Sequence, residues 1–220
     1  MADATHGLFL TFEGGDGSGK STQSRLLTEW LGAGGHTVVH SREPGGTELG
    51  VELREIILHR RGYIAPRAEA LLYAADRAHN IATVVRPALE RGDIVIQDRY
   101  LDSSVAYQGA GRVLDPAEIR DLSLWATEGL LPDLTILLDL DVEAGRGRLD
   151  DSRTRYDRLE AEAAEFHHRV RDAYLALAAE EPDRFLVLDA AEPVDALAAR
   201  IRERVSHLLA SPPSATTLQR

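Results

Sequence analysis

Gly14-Gly15-Asp16-Gly17-Ser18-Gly19-Lys20-Ser21 is the stretch from which the fold is read. It meets the pattern G-x-x-x-x-G-K-[ST] through Gly14, Gly19, Lys20 and Ser21. The pattern serves anions, because its glycines let backbone N–H groups converge on phosphate oxygens. Before it, Leu8-Phe9-Leu10-Thr11-Phe12-Glu13 is a short, mostly apolar run; after it, Lys20 to Leu31 carries apolar residues at helical spacing. Strand, glycine loop and helix in that order aim a helix N-terminus and the loop amides at one point. The expectation is an ATP site made of Gly14, Gly15, Asp16, Gly17, Ser18, Gly19, Lys20, Ser21 and Thr22. Lys20 would neutralise phosphate charge and the Ser21 hydroxyl would ligate Mg2+. A glycine-rich turn without a ligand is the bland alternative.

Outward from this loop the strand–helix order repeats. Thr37-Val38-Val39-His40 reads as a strand, followed by helical patterns over Leu49–His59 and Arg67–Arg91. Ile94-Val95-Ile96-Gln97-Asp98 is a third strand, with a helical region to about Gly129; Leu134–Leu140 and Phe185–Asp189 supply two more strands. Strands alternating with helices predict an α/β fold of three layers, a five-stranded parallel sheet flanked by helices. No repeat or linker divides the chain, so residues 1–210 are expected to form one domain, in which the arginine-dense segment at about 143–160 could fold over a triphosphate. The segment 211–220 has lost apolar periodicity and is expected to be a disordered tail.

Composition narrows the function. A net charge of −11 argues against sequence-independent nucleic-acid binding, so an anionic ligand must be met by local positive charge. There are no cysteines, which removes disulfides, thiolate metal sites and cysteine nucleophiles together. The N-terminal residues lack a signal pattern, and no apolar run has the length of a membrane span; the expected setting is the cytoplasm, with no membrane partner. Of 25 basic residues, 24 are arginine and one, Lys20, is lysine. In a chain so biased toward arginine, a surviving lysine marks a place where a compact ammonium fits and a planar guanidinium does not.

Three further groupings bear on chemistry. Asp98-Arg99-Tyr100 follows a strand directly, where ligands of open α/β sheets collect; a surface ion pair is the alternative. Tyr73 and Arg77 are spaced i,i+4 on one helical face, and Tyr107 and Gln108 follow Ser104 by three and four residues. Each can present a ring and hydrogen-bonding groups to one ligand, or can be ordinary packing. Arg146, Arg148, Arg153, Arg155 and Arg158 fall within 13 residues, dense enough to cover a triphosphate or to form a solvated helix face.

Taken in order, these residues resemble the bacterial thymidylate kinase family. Phe12 to Thr22 is similar to its extended P-loop, Arg42-Glu43-Pro44-Gly45-Gly46-Thr47 to its second segment, and Asp98-Arg99-Tyr100 to its D-R-[YH] element. Ala106-Tyr107-Gln108-Gly109 with Gly111-Arg112 resembles a further stretch, and Asp157-Arg158-Leu159-Glu160 the end of its lid. The likeness runs from about Leu8 to Leu209.

The resemblance implies transfer of the γ-phosphoryl of ATP to dTMP, giving dTDP and ADP. It implies a catalytic set of Lys20, Asp98, Arg99 and a lid arginine, Arg153 with Arg155 as the competing choice, because the P-loop itself carries no arginine. For dTMP it implies Asp16, Arg42, Glu43, Tyr73, Arg77, Arg99, Ser103, Ser104, Tyr107 and Gln108. Tyr73 would stack on thymine, Arg77 meet its O4 edge, and Tyr107 occupy the space of a ribose 2′-hydroxyl. Ser21 and Asp98, the latter directly or through water, would hold the metal. The family also implies a homodimer. Tyr73 and Ser104 stand where the family commonly has other residues, which bears on tolerance for modified bases.

Overall fold

The structure is a computed structural model that describes residues 7–152 and 156–210. Arg153, Arg155 and the segment 211–220 lie outside the described residues.

Five strands, β1 (Leu8–Glu13), β2 (Val38–Arg42), β3 (Ile94–Asp98), β4 (Leu134–Asp139) and β5 (Phe185–Asp189), form one all-parallel sheet in the order β2-β3-β1-β4-β5. Every residue of β1 is buried. Its run is near-continuously apolar because helices cover both faces of a parallel sheet. Alternation along the strand then decides which layer each side chain enters. Leu8, Leu10 and Phe12 pack with Leu27 and Leu31 of α1 (Lys20–Ala33) and with Leu197, Ile201 and Val205 of α9 (Val194–Ala210). Phe9 faces the other way, against Ile81, Val85, Leu89 and Tyr100. Each such buried aliphatic contributes about 1.5–3 kcal/mol relative to exposure.

The second face is covered by α3 (Pro66–Asn80), α4 (Arg86–Glu90) and α8 (Ala164–Glu180), with α2 (Glu48–Arg54) and α6 (Pro116–Thr127) packed beside α3. The predicted helix over Arg67–Arg91 is present but contains a π-helical turn at Ile81–Val85, just before Pro87, whose ring nitrogen has no proton to offer the preceding turn. Between β3 and β4, the short α5 (Leu101–Ser104) runs into a further π-helical segment, Val105–Gly111, before α6 starts on the Asp115 cap. The last helix of the lid region is α7 (Val142–Ser152).

Two strand boundaries differ from the apolar pattern. β2 extends to Arg42 because its ladder with β3 continues through Ser41↔Gln97 and Arg42↔Asp98, and backbone pairing is indifferent to side-chain polarity. β4 ends at Asp139 rather than Leu140. The register that matters most is Phe12↔Asp98: it sets the loops after β1 and β3 side by side at the carboxyl edge of the sheet.

Candidate active site

The glycine loop leaves β1 through Gly14, whose φ is +130°, and a β-carbon there would lie 2.4 Å from the Leu138 carbonyl oxygen. Gly17, at φ +76°, is pressed just as closely against Gly145 of α7, at 2.6 Å from its carbonyl oxygen. No side chain fits either place. Lys20 opens α1, is buried, and donates from Nζ to the carbonyls of Gly14 at 3.1 Å and Gly15 at 2.8 Å. Burial, together with the Arg99 charge, pushes its pKa down to about 8 against the opposing pull of Asp16, Asp98 and Glu13.

Beside the loop, Ser21 Oγ donates to Asp98 Oδ2 at 3.4 Å, while Asp98 Oδ1 is buried without a hydrogen-bond partner among the described residues. A hydroxyl and an orphaned carboxylate oxygen are a donor set that suits Mg2+, which binds few protein oxygens and keeps water and phosphate as its other ligands. Arg99 follows in the left-handed region, at φ 66°, which turns its side chain back over the glycine loop. Its Nη2 donates to Asp16 Oδ1 at 2.6 Å and its Nη1 to Gly14 O at 3.2 Å, and its guanidinium lies 5.0 Å from the Tyr107 ring centre. Burial alone would raise the Asp16 pKa, but Arg99 and Lys20 outweigh it and hold the carboxyl below its ordinary value.

Two cavities meet here. An open cleft of about 1070 Å³ is lined by the glycine loop, Lys20, Ser21, Thr22, Asp98 and Arg148. An adjoining cavity of about 600 Å³ is lined by Tyr73, Arg77, Ser103, Ser104, Tyr107 and Gln108. Asp16, Glu43, Arg54 and Arg99 line both.

The smaller cavity has a rigid polar wall. Arg77 is 1% exposed and donates to Glu43 at 2.8 Å, Ser123 at 2.9 Å, and both the Tyr100 carbonyl and Ser104 Oγ at 3.0 Å. Burial pushes the Glu43 pKa up to about 7, with Arg77 opposing it and Asp76 adding to it. Gln108 donates from Nε2 to Glu69 at 2.9 Å. Tyr107, on the π-helical segment, brings its hydroxyl to 3.5 Å from Asp16 Oδ2. The residues expected at a base, a sugar and a phosphate are therefore gathered around one space.

Some predicted residues sit elsewhere. Arg42 lines the open cleft and not the smaller cavity, because successive residues at the end of β2 point to opposite sides. Of the arginine-rich stretch, Arg148 reaches the glycine loop, donating to the Gly17 carbonyl at 3.3 Å. Arg146 stacks on Tyr156, whose hydroxyl bonds Asp150. Arg158 turns away from the phosphate side to Glu69 at 2.6 Å and the Ile57 carbonyl at 2.8 Å. Arg54, which donates to the Pro44 carbonyl at 2.9 Å, had no sequence signal beyond its helix. The buried Glu69 and Tyr174 had none either, and Glu13 was marked only as part of the P-loop likeness; their partners are distant in sequence.

A sequence model described as thymidylate kinase matches residues 12–201. The thymidylate kinase of Clavibacter sepedonicus is 72% identical over 209 residues, covering 95% of this chain and 99% of that protein. That of Leifsonia xyli subsp. xyli is 74% identical over 199 residues, covering 90% and 94%. The crystal structure of a thymidylate kinase from Ehrlichia chaffeensis superposes with a TM-score of 0.74 at 32% identity, over 91% of this chain and 99% of that one.

Proposed function

The chain belongs to the thymidylate kinase family and transfers the γ-phosphoryl of ATP to dTMP, giving dTDP and ADP; from that premise we propose the part each residue plays. The observation that carries the proposal is that Arg99 and Asp16 line both cavities. A guanidinium at the junction can hold the acceptor phosphate in line with the γ-phosphoryl, and that positioning is the main task in phosphoryl transfer. The acceptor oxygen is already anionic near neutral pH, so the site requires no general base.

ATP lies in the open cleft, its phosphates on the loop amides and Lys20, with Thr22 at the edge. Ser21 and Asp98 would hold Mg2+, which would neutralise charge on the transferring phosphates. dTMP occupies the smaller cavity, with thymine on Tyr73, its O4 edge at Arg77 and Ser104, and Gln108 beside them. Ser103 and Glu43 shape this cavity from behind, and Arg42 and Arg54 add positive charge at the phosphate end. Asp16 takes the sugar hydroxyl, and the Tyr107 ring next to it fills the place of a 2′-hydroxyl.

The remaining transition-state charge falls to the lid. α7 packs on the loop through Gly145 and Arg148, and Asp157 lines the acceptor cavity. Arg153 of the arginine-rich stretch is assigned the catalytic role by family resemblance, with Arg155 the competing choice. A cytoplasmic enzyme fits this reading, and among the described residues no helix is long and apolar enough to cross a membrane.

A coupled kinase assay over a panel of nucleoside monophosphates tests the assignment. dTMP should be the fastest acceptor, and Tyr107→Ala should narrow the preference for deoxyribose. Faster turnover of UMP or GMP would remove the assigned base contacts, and unaltered sugar discrimination would remove the role of Tyr107.

A further inference from the structure

Behind Arg99 lies a buried group that the reaction as described does not use. Glu13, the last residue of β1, is fully buried and receives four hydrogen bonds. Its Oε1 accepts from the backbone N–H groups of Tyr100 at 2.7 Å and Ser103 at 3.3 Å. Its Oε2 accepts from Ser103 Oγ at 2.6 Å and Tyr174 Oη at 2.8 Å. Those two hydroxyls in turn accept from Arg99 Nη1, at 3.3 Å and 3.5 Å.

Burial pushes the Glu13 pKa up to about 7 against the opposing pull of Ser103, Arg99 and Tyr174. In its ionised form the carboxylate only accepts, so the Ser103 and Tyr174 hydroxyls, themselves 2.8 Å apart, give their protons to it and leave lone pairs facing the guanidinium. The backbone after Arg99 is held by the same residue, since Glu13 captures the amide directly after the left-handed turn at Arg99 and that of Ser103. We propose that Glu13, acting through Ser103 and Tyr174, is a positioning residue that fixes the Arg99 guanidinium at the junction of the two cavities. The proposal rests on the reading of Arg99 as the acceptor-phosphate ligand. It adds two residues, Glu13 and Tyr174, from opposite ends of the chain.

The sharpest perturbation is Glu13→Gln. The two backbone amides require the amide oxygen on their side, which places the amide nitrogen toward Ser103 and Tyr174. The hydroxyls then accept from that nitrogen; being 2.8 Å apart, one can give its proton to the other, and the remaining proton turns toward Arg99, donor against donor. Burial magnifies the mismatch. Tyr174→Phe is the gentler companion: it deletes one oxygen and keeps the ring packing against Tyr107.

The test compares Arg99→Ala, Glu13→Gln, Tyr174→Phe and the Glu13→Gln/Tyr174→Phe double variant by kcat, by KM for each substrate, and by thermal unfolding. The expected result for Glu13→Gln is a loss of about tenfold or more in kcat/KM for dTMP, with KM for ATP within about twofold of wild type. Tyr174→Phe should show the same split at smaller size, and carries the test if Glu13→Gln does not fold. The double variant should lose less than the product of the single losses, because both act through one path. If Arg99→Ala lowers kcat/KM for dTMP while Glu13→Gln and Tyr174→Phe stay within about twofold of wild type, the positioning role is overturned and the Arg99 reading stands. Equal losses for both substrates in step with a lower Tm also overturn it, since that is what a purely structural role gives. If Arg99→Ala leaves the dTMP parameters unchanged, both readings fall together.

Discussion

Lys20 is held by carbonyl oxygens of its own loop, buried, with its pKa pushed down to about 8 by burial and by the neighbouring guanidinium of Arg99. Triphosphate favours the charged ammonium and raises that pKa, so ATP binding near pH 8 should take up protons, about half a proton at the midpoint, and affinity should fall as the pH rises further. Titration calorimetry in two buffers of different ionisation enthalpy measures this. Heats that do not depend on the buffer, or proton release, would contradict the assignment. The same residue shows what a sequence can reveal: its type is dictated by the ligand, so it survives as the lone lysine in an arginine-rich chain. Glu13 is the opposite case. A carboxylate ending an apolar run gives no hint that its partner hydroxyl lies 161 residues away on α8.

At the level of elements, the loop–helix unit and the strands were legible because phosphate recognition and double-sided burial each impose a local pattern. The polar ends of strands were not, since β2 continues through Ser41 and Arg42 by backbone pairing alone. The segment Val105–Gly111 reads as helix, yet its π-helical winding, which carries Tyr107 and Gln108 into the cavity wall, has no local signature. The arginine-rich stretch is divided by tertiary partners invisible in the sequence. Arg148 goes to the glycine loop, and Arg158 goes to Glu69, which also holds Gln108 and Arg112. That division engages Arg148 and Arg158 with protein partners, and Arg153 is the arginine proposed, on family resemblance, to act on the phosphates. Arg153→Ala should therefore lower kcat by about a hundredfold or more while changing KM for dTMP little. An unchanged kcat in steady-state assays would move the role to Arg155 or off the lid.

On the scale of the whole molecule, an overall charge of −11 coexists with a site lined by Lys20, Arg42, Arg54, Arg99 and Arg148. Positive charge is concentrated along this cleft, which would focus anionic substrates on an otherwise acidic surface. The outer face has a different character. α2, α3 and α6 pack side by side and expose Val51, Leu71 and Trp125, the last at 80%. Exposed aromatic and aliphatic side chains of this kind serve association, and a second copy of the chain is the proposed partner. Light scattering on the eluting protein should give twice the chain mass, and Trp125→Glu should shift it toward the monomer. A monomeric wild type would exclude the dimer.

The central claim is that donor and acceptor cavities join at Arg99 and Asp16. The most direct measurement is competition by a compound in which adenosine and thymidine are linked through a chain of five phosphates. If the cavities are continuous, it should compete with both ATP and dTMP and bind more tightly than either nucleotide, with that advantage lost in Arg99→Ala. Competition with only one substrate, or an advantage that survives Arg99→Ala, would contradict the account.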